Sequence, residues 1–183
     1  MDFNLQGGIP VRAMRLGFVG ELSYELHLPA SYMPAVWEML AEAGKNVGIK
    51  PYGVEAQNIL RMEKGHIILG QESEQRTNLL DLGLGFLWAR NKDITPVGAD
   101  ALVQSESDLS RLKLVGIQME KAEHVPGDGC VIVDGRVIGY IGTIRHSQTV
   151  GAVIGMALVE GPYAPEGTKL AVYENECKGE LQY

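Results

Sequence analysis

Residues 130–143 constrain the fold more than any other stretch. An apolar run at 130–133 meets Asp134-Gly135, and a second apolar-rich run follows at 136–143. An Asp-Gly pair between two such runs predicts a two-residue hairpin with a type I′ turn. More short strand signals surround it. In 112–118, Leu112, Leu114, Gly116 and Gln118 interleave with Lys113, Val115 and Ile117. Residues 150–159 and 168–173 add two strands, separated by the turn-rich GPYAPEG, and 178–182 is a last candidate. Short strands at close spacing predict a small all-β barrel or sandwich.

The first half reads differently. After a nine-residue arm, 10–20 reads as a strand ending in Gly20. Leu22, Tyr24, Leu26 and Leu28 then alternate with Ser23, Glu25 and His27, the period of a half-buried strand. Pro29 stops it. Ser31 is the expected N-cap of a helix whose Met33, Val36, Trp37 and Leu40 form one stripe, with Trp37 in the core and Gly44 at the end. A second helix is expected at 53–64, with Ala56, Ile59 and Leu60 on one side and Gln57, Arg61 and Lys64 on another. A strand near 66–70 and a short helix at 98–103 follow, then the polar QSESD. Mixed helices and strands predict an α+β layer built on a partial antiparallel sheet. The expected break is at about residue 110, between an α+β portion (1–110) and a β-barrel (111–183).

The 183 residues suffice for one domain or two small ones. A net charge of −7 without a basic patch argues against nucleic acid as a partner. No run reaches 18 consecutive apolar residues, so no membrane partner is expected, and MDFNLQGGIPVRAMR lacks the pattern of a secretory signal. Cys130 and Cys177 belong to no CxxC pair. They are read as reduced and buried, with a disulfide between them as the alternative, in keeping with a cytoplasmic protein. The four histidines show no metal-ligand spacing, so no metal is expected. Turn positions account for Gly127, Gly129, Gly135 and Gly139, because no Lys-Ser/Thr follows to make a phosphate loop.

The most chemical segment is Phe18-Val19-Gly20-Glu21-Leu22-Ser23-Tyr24-Glu25. A carboxylate accepts two parallel N–H bonds, which suits a heterocycle presenting an amide N–H beside an amino group. Phe18 and Tyr24 are candidate flat walls, although Tyr24 is also a candidate core residue. The plain alternative leaves Glu25 on the wet face of an ordinary sheet. Arg61, Glu63 and Lys64 make either a polar site or a solvated helix face. His66 is either a base or a hydrogen-bonded loop histidine. Arg145 and His146, at a strand end, either fork onto a carboxylate or face water.

Together these segments resemble the folate-binding aminomethyltransferase family. It includes the glycine-cleavage T-protein and the C-terminal parts of the sarcosine oxidase α subunit and dimethylglycine dehydrogenases. The family motif Tyr-x-Gly-Glu-x-Gly-aromatic/apolar-Glu stands here at 18–25, followed by Leu-His-Leu-Pro-Ala and a Trp-containing helix. Pro51–Ala56, Leu60–His66 and Gly70-Gln71-Glu72 look most like the sarcosine oxidase α branch. Residues 78–85 resemble the stretch leading to the last domain, and 139–159 with 167–170 resemble the C-terminal barrel. The resemblance implies tetrahydrofolate as the bound cofactor and an enzyme that moves a methylene unit to it from an aminomethyl donor. Glu25 matches the glutamate that holds the pterin edge, and Phe18 falls at a frequent tyrosine. Gln57 stands where T-proteins carry an arginine for the glutamate tail, and Arg145 is a candidate to compensate. Arg61 is a further anion contact by this reading.

The departures are specific. Ser23 replaces the usual glycine, and Ser147-Gln148 replaces Ser-Pro. The family's aspartate, implicated in one-carbon transfer, lies before the strand motif, but only seventeen residues precede Phe18 and Asp2 does not fit it. No catalytic residue is therefore assigned. The expectation is a C-terminal half, completed by another chain or an N-terminal half. The alternative is a non-catalytic folate-binding or assembly module; a barrel without a ligand is a third reading.

Overall fold

A computed structural model describes residues 1–119, 124–176 and 179–182, with side chains described for 1–119 and 124–174. Two compact units emerge, Met1–Lys64 and Gly65–Tyr183. The composition break expected near residue 110 falls inside the second unit.

The first unit holds an antiparallel sheet in the order β1 (Asp2–Leu5), β2 (Ile9–Met14), β3 (Glu25–His27). Its helices are α1 (Met33–Gly44) and α2 (Val54–Lys64). Ile9 and Val11 alternate inward along β2 and meet Val36 of α1, with Leu5, Leu26, Leu28 and Met39 packed around them. This is a small core.

Several expectations fail here for local reasons. The strands expected at 10–20 and 22–28 shrink to β2 and β3, because 15–24 is a loop. Gly20 sits at φ +88 beside the Lys64 side chain, and the Ser23 hydroxyl donates to the Glu21 carbonyl at 3.1 Å, so the chain turns instead of extending. Leu22 is 66% exposed, which removes it from the inner face the alternation implied. Ser31 is not a cap: it lies in a 3₁₀ turn (Ala30–Tyr32), and no side chain caps α1. Of the expected α1 stripe only Val36 is buried; Met33, Leu40 and Trp37 are exposed, Trp37 at 62%. Gly44 ends α1 as expected, and Gly48 at φ +72 closes the 3₁₀ turn that follows.

The second unit begins with a long loop. Its expected strand at 66–70 is absent; a lone Leu69–Ser73 bridge remains. The Ile68 N–H donates to Glu72 Oε2 at 2.8 Å, and Gly70 at φ +91 reverses the chain, so a side chain consumes the bond a ladder needs. Asn78 and Asp81 knot the next turn: the Asn78 N–H donates to Asp81 Oδ2, while the Leu80 and Asp81 amides donate to Asn78 Oδ1. After α3 (Ala99–Ser105) come β4 (Leu112–Met119), β5 (Val131–Val133), β6 (Val137–Ser147), β7 (Ala152–Glu160), β8 (Ala171–Glu176) and β9 (Gly179–Gln182). They form an antiparallel six-stranded sheet ordered β4-β7-β6-β5-β8-β9. The β5–β6 hairpin is real, but its turn is not type I′. Val133 pairs with Val137 across a three-residue loop, and Gly135 has φ +67 while Asp134 does not enter the left-handed region.

Ile132, Ile138, Ile141, Ile144, Val153, Ala157, Val159 and Val172 form the core of this sheet, with Val115, Ile117 and Met119 of β4 packed against it. A bulge in β6 between Ile141 and Thr143 breaks the ladder with β7. There the Thr143 hydroxyl donates to Glu72 Oε1 at 2.6 Å, which ties the preceding loop to the sheet. The chain is α+β, with antiparallel sheets throughout the described residues and the β-rich part at its C-terminal end.

Candidate functional site

Glu25 opens β3, the edge strand of the first sheet. Its cross-strand partner is Met14, and His27 lies opposite Arg12. Side chains two apart on a strand share a face, and here they touch: His27 Nε2 lies 3.1 Å from Glu25 Oε2. Both side chains are 54% exposed. Glu25 Oε1 takes no bond from the described residues. Arg12, the nearest cation on β2, is occupied: its Nε donates to Asp2 Oδ1 at 2.7 Å and its Nη2 to Oδ2 at 3.1 Å. That fork holds the Asp2 carboxyl below the usual carboxylate range. A shallow, open hollow of about 660 Å³ lies along this face, bounded by His27, Arg12, Leu28 and Phe3. Glu25 is not among its lining residues; it stands beside it on the same strand as His27.

Tyr24 is 62% exposed, so its place is in water, not in the core. Phe18 is half-buried in the loop before β3. The segment thus offers one exposed phenol ring, one half-buried phenyl ring and a carboxylate with one oxygen to spare. A flat heterocycle bearing two adjacent N–H donors fits that set chemically.

The cations behave otherwise. Arg61 is not on a solvated helix face: it is completely buried, and its Nε donates to Asn58 Oδ1 at 2.8 Å. Gln57 is half-buried on the same helix, and Glu63 and His66 are half-buried near its end. In the second unit Arg145 lies within β6, not in a loop. Its guanidinium forks onto Asp128, at 2.7 Å to Oδ1 and 3.0 Å to Oδ2, and its Nη1 also donates to the Ile144 carbonyl. A ligand carboxylate at Arg145 has to compete with Asp128. His27, Asn58 and Asp128 are the partners that sequence reading did not name. Only His27 carried a signal, its spacing of two along a strand; the other pairings depend on packing.

Other titrating groups are structural. Burial alone raises the Asp81 carboxyl, but bonds from Arg111, the Asn78 amide and Lys113 outweigh it and hold it below its ordinary value of 3.8. Arg111 Nε donates to both Asp81 oxygens at 3.0 and 3.1 Å, and Lys113 Nζ to Oδ1 at 3.2 Å. Cys130 is a free, half-buried thiol pushed up first by burial and then by Glu174, so it is a poor nucleophile. Cys177 lies outside the described residues. Among the described residues no His/Cys/Asp/Glu group is arranged to hold a metal, and no helix is long and apolar enough to cross a membrane.

Comparison with known proteins converges on one family. A family model described as the GCVT N-terminal domain matches residues 3–92, and one described as the glycine cleavage T-protein C-terminal barrel domain matches residues 113–178. The aminomethyltransferase of Caldanaerobacter subterraneus subsp. tengcongensis is 34% identical over 166 residues, 90% of this chain and 44% of that protein. The aminomethyltransferase of a Geobacillus species is 33% identical over 172 residues, 93% and 47%. The crystal structure of glycine cleavage system aminomethyltransferase T from Bartonella henselae shares the fold, with a TM-score of 0.78 over 99% of this chain and 49% of that one at 23% identity. The chain therefore spans about half the length of the relatives it matches. With both family models matched in order along it, the chain belongs to the aminomethyltransferase (glycine-cleavage T-protein) family.

Proposed function

We propose that this chain is the tetrahydrofolate-binding half of an aminomethyltransferase, and that Glu25 holds the pterin edge. The single observation that carries the reading is the Glu25 carboxyl group: exposed, with Oε1 unbonded among the described residues, in the segment with the family's strand motif. Tyr24, next to it in the chain, and Phe18, seven residues before it, are the candidate flat walls. Gln57 and Arg61 are weaker contacts, because Arg61 is buried; Arg145, in the second unit, is already forked onto Asp128 and is a separate candidate for an anion.

In the complete enzyme the folate receives a methylene unit from an aminomethyl donor, and residues 51–56, 60–66 and 70–72 resemble the sarcosine oxidase α branch. This chain's contribution is binding and orientation, and proximity supplies much of the rate in such a transfer. No residue described here is assigned to the chemical step. The exposed stripe of Met33, Trp37 and Leu40 on α1 supports a partner, either another chain or an N-terminal half, that covers it and completes the site. The free Cys130 thiol is in keeping with a cytoplasmic setting. The same stripe also fits an assembly module that binds folate without catalysis; activity of the completed protein separates the two.

Calorimetric titration of the purified chain with tetrahydrofolate tests the reading, with solution mass determined in parallel. Glu25→Gln is expected to weaken binding by one charge-assisted bond, about 1.5–3 kcal/mol. Unchanged affinity removes Glu25 from the site.

A further inference from the structure

Glu25 is short of partners for a carboxylate on an exposed sheet. Arg12 sits on the neighbouring strand opposite His27, but its Nε/Nη2 edge is turned onto Asp2 and it makes no bond to Glu25. Met14, directly opposite Glu25, has no donor to give. His27 is left as the one described group bonded to the Glu25 side chain. Its ring is a short, two-torsion side chain on a strand, so it places Nε2 with little freedom, whereas an exposed glutamate samples several rotamers.

We infer that His27 is a positioning residue for the pterin edge: it anchors Glu25 Oε2 and so presents the carboxylate to the ligand in one rotamer. The inference rests on the reading of Glu25 above. The lone pairs allow it. A carboxylate has about four acceptor positions and His27 occupies one, which leaves Oε1 and a second position on Oε2 for two adjacent N–H donors. Either the neutral Nε2–H tautomer or the imidazolium donates this bond, so the anchor needs no change of protonation. The ligand class follows: a flat heterocycle with an amide N–H next to an amino group, which meets both oxygens of a fixed carboxylate better than those of a mobile one.

Nothing in this role requires His27 to touch the ligand, so its effect must pass through Glu25. The test is a double-mutant cycle on the purified chain, with tetrahydrofolate affinity read by calorimetry and unfolding by circular dichroism. His27→Ala is expected to raise Kd about two- to ten-fold, the range for losing the immobilisation of one side chain, without shifting the unfolding midpoint. His27→Gln, whose Nε2 reaches a similar place, is expected to restore most of that loss. In the Glu25→Gln background His27→Ala is expected to change Kd no further. An unchanged Kd in His27→Ala overturns the inference, and so does an additive effect in the double variant. If Glu25→Gln still weakens binding in either case, the reading of Glu25 stands. If no variant and not the parent chain binds saturably, reading and inference fall together.

Discussion

The two units are built on different balances. The second encloses an eight-residue core in which Ile132, Ile141, Ile144, Ala157 and Val159 lose all contact with water. The first has three buried hydrophobics at its centre and leaves Trp37, Tyr24, Leu22 and Tyr52 largely exposed. Burial contributes about 25 cal/mol per Å² of apolar surface, so the unit that closes its core secures its own stability. Both units leave apolar rings in water, Phe86 of the second at 80% among them; in the first they include Tyr24, next to Glu25 in the chain, and Trp37 of α1. Of the candidate ligand contacts, Glu25, Tyr24, Phe18, Gln57 and Arg61 belong to the first unit and Arg145 to the second. That division fits the general separation of rigid scaffold from recognition segment.

Substitutions sharpen or break the contrast, beginning with the largest effect. Ile141→Ala empties a fully enclosed position and is expected to cost about 2–5 kcal/mol in denaturant unfolding of the chain. A loss below 1 kcal/mol means the second core is looser than described. Next is Asp81→Asn, which removes the charge that Arg111 and Lys113 address, with an expected loss of about 1.5–3 kcal/mol. The same group sets an acid limit. Its folded pKa lies below 3.8, so its contribution is complete above that value and is lost as pH falls through the lowered folded one. Acid titration of the Asp81→Asn protein should therefore lack part of the destabilisation seen in the parent below pH 4. Trp37→Ser belongs at the small end: an exposed ring on an uncovered helix should change the stability of this chain by no more than about 0.5 kcal/mol. A large loss by Trp37→Ser contradicts the exposure of that stripe. Smallest is Asp2→Asn, which breaks a wholly exposed pair with Arg12 and should leave the unfolding midpoint unmoved in moderate salt.

What was legible follows the same division. In the second unit β7 is a nearly continuous apolar run buried along its length, and its neighbours β4 and β6 carry short apolar-rich runs, so their positions are legible along the chain. Even there the pair Asp134-Gly135 points to a two-residue turn, whereas the chain uses it with Arg136 in a longer loop. In the first unit the alternation at 22–28 reads as a strand, yet Gly20 and the Ser23 hydroxyl turn most of it into a loop. The Met33–Leu40 stripe has a perfect helical period, but periodicity reports which residues share a face, not whether anything covers it. Glu25 was found because it lies in a motif. Its bond to His27 was implicit in a spacing of two, whereas the Arg145–Asp128 fork and the burial of Arg61 depend on contacts between distant segments or on packing.

The most direct measurement is an amide chemical-shift map of the isotope-labelled chain titrated with tetrahydrofolate. A folate site at Glu25 predicts saturable shifts centred on residues 18–27, reduced when Glu25 is replaced by Gln. Shifts confined to the second unit, or none at saturating folate, contradict it.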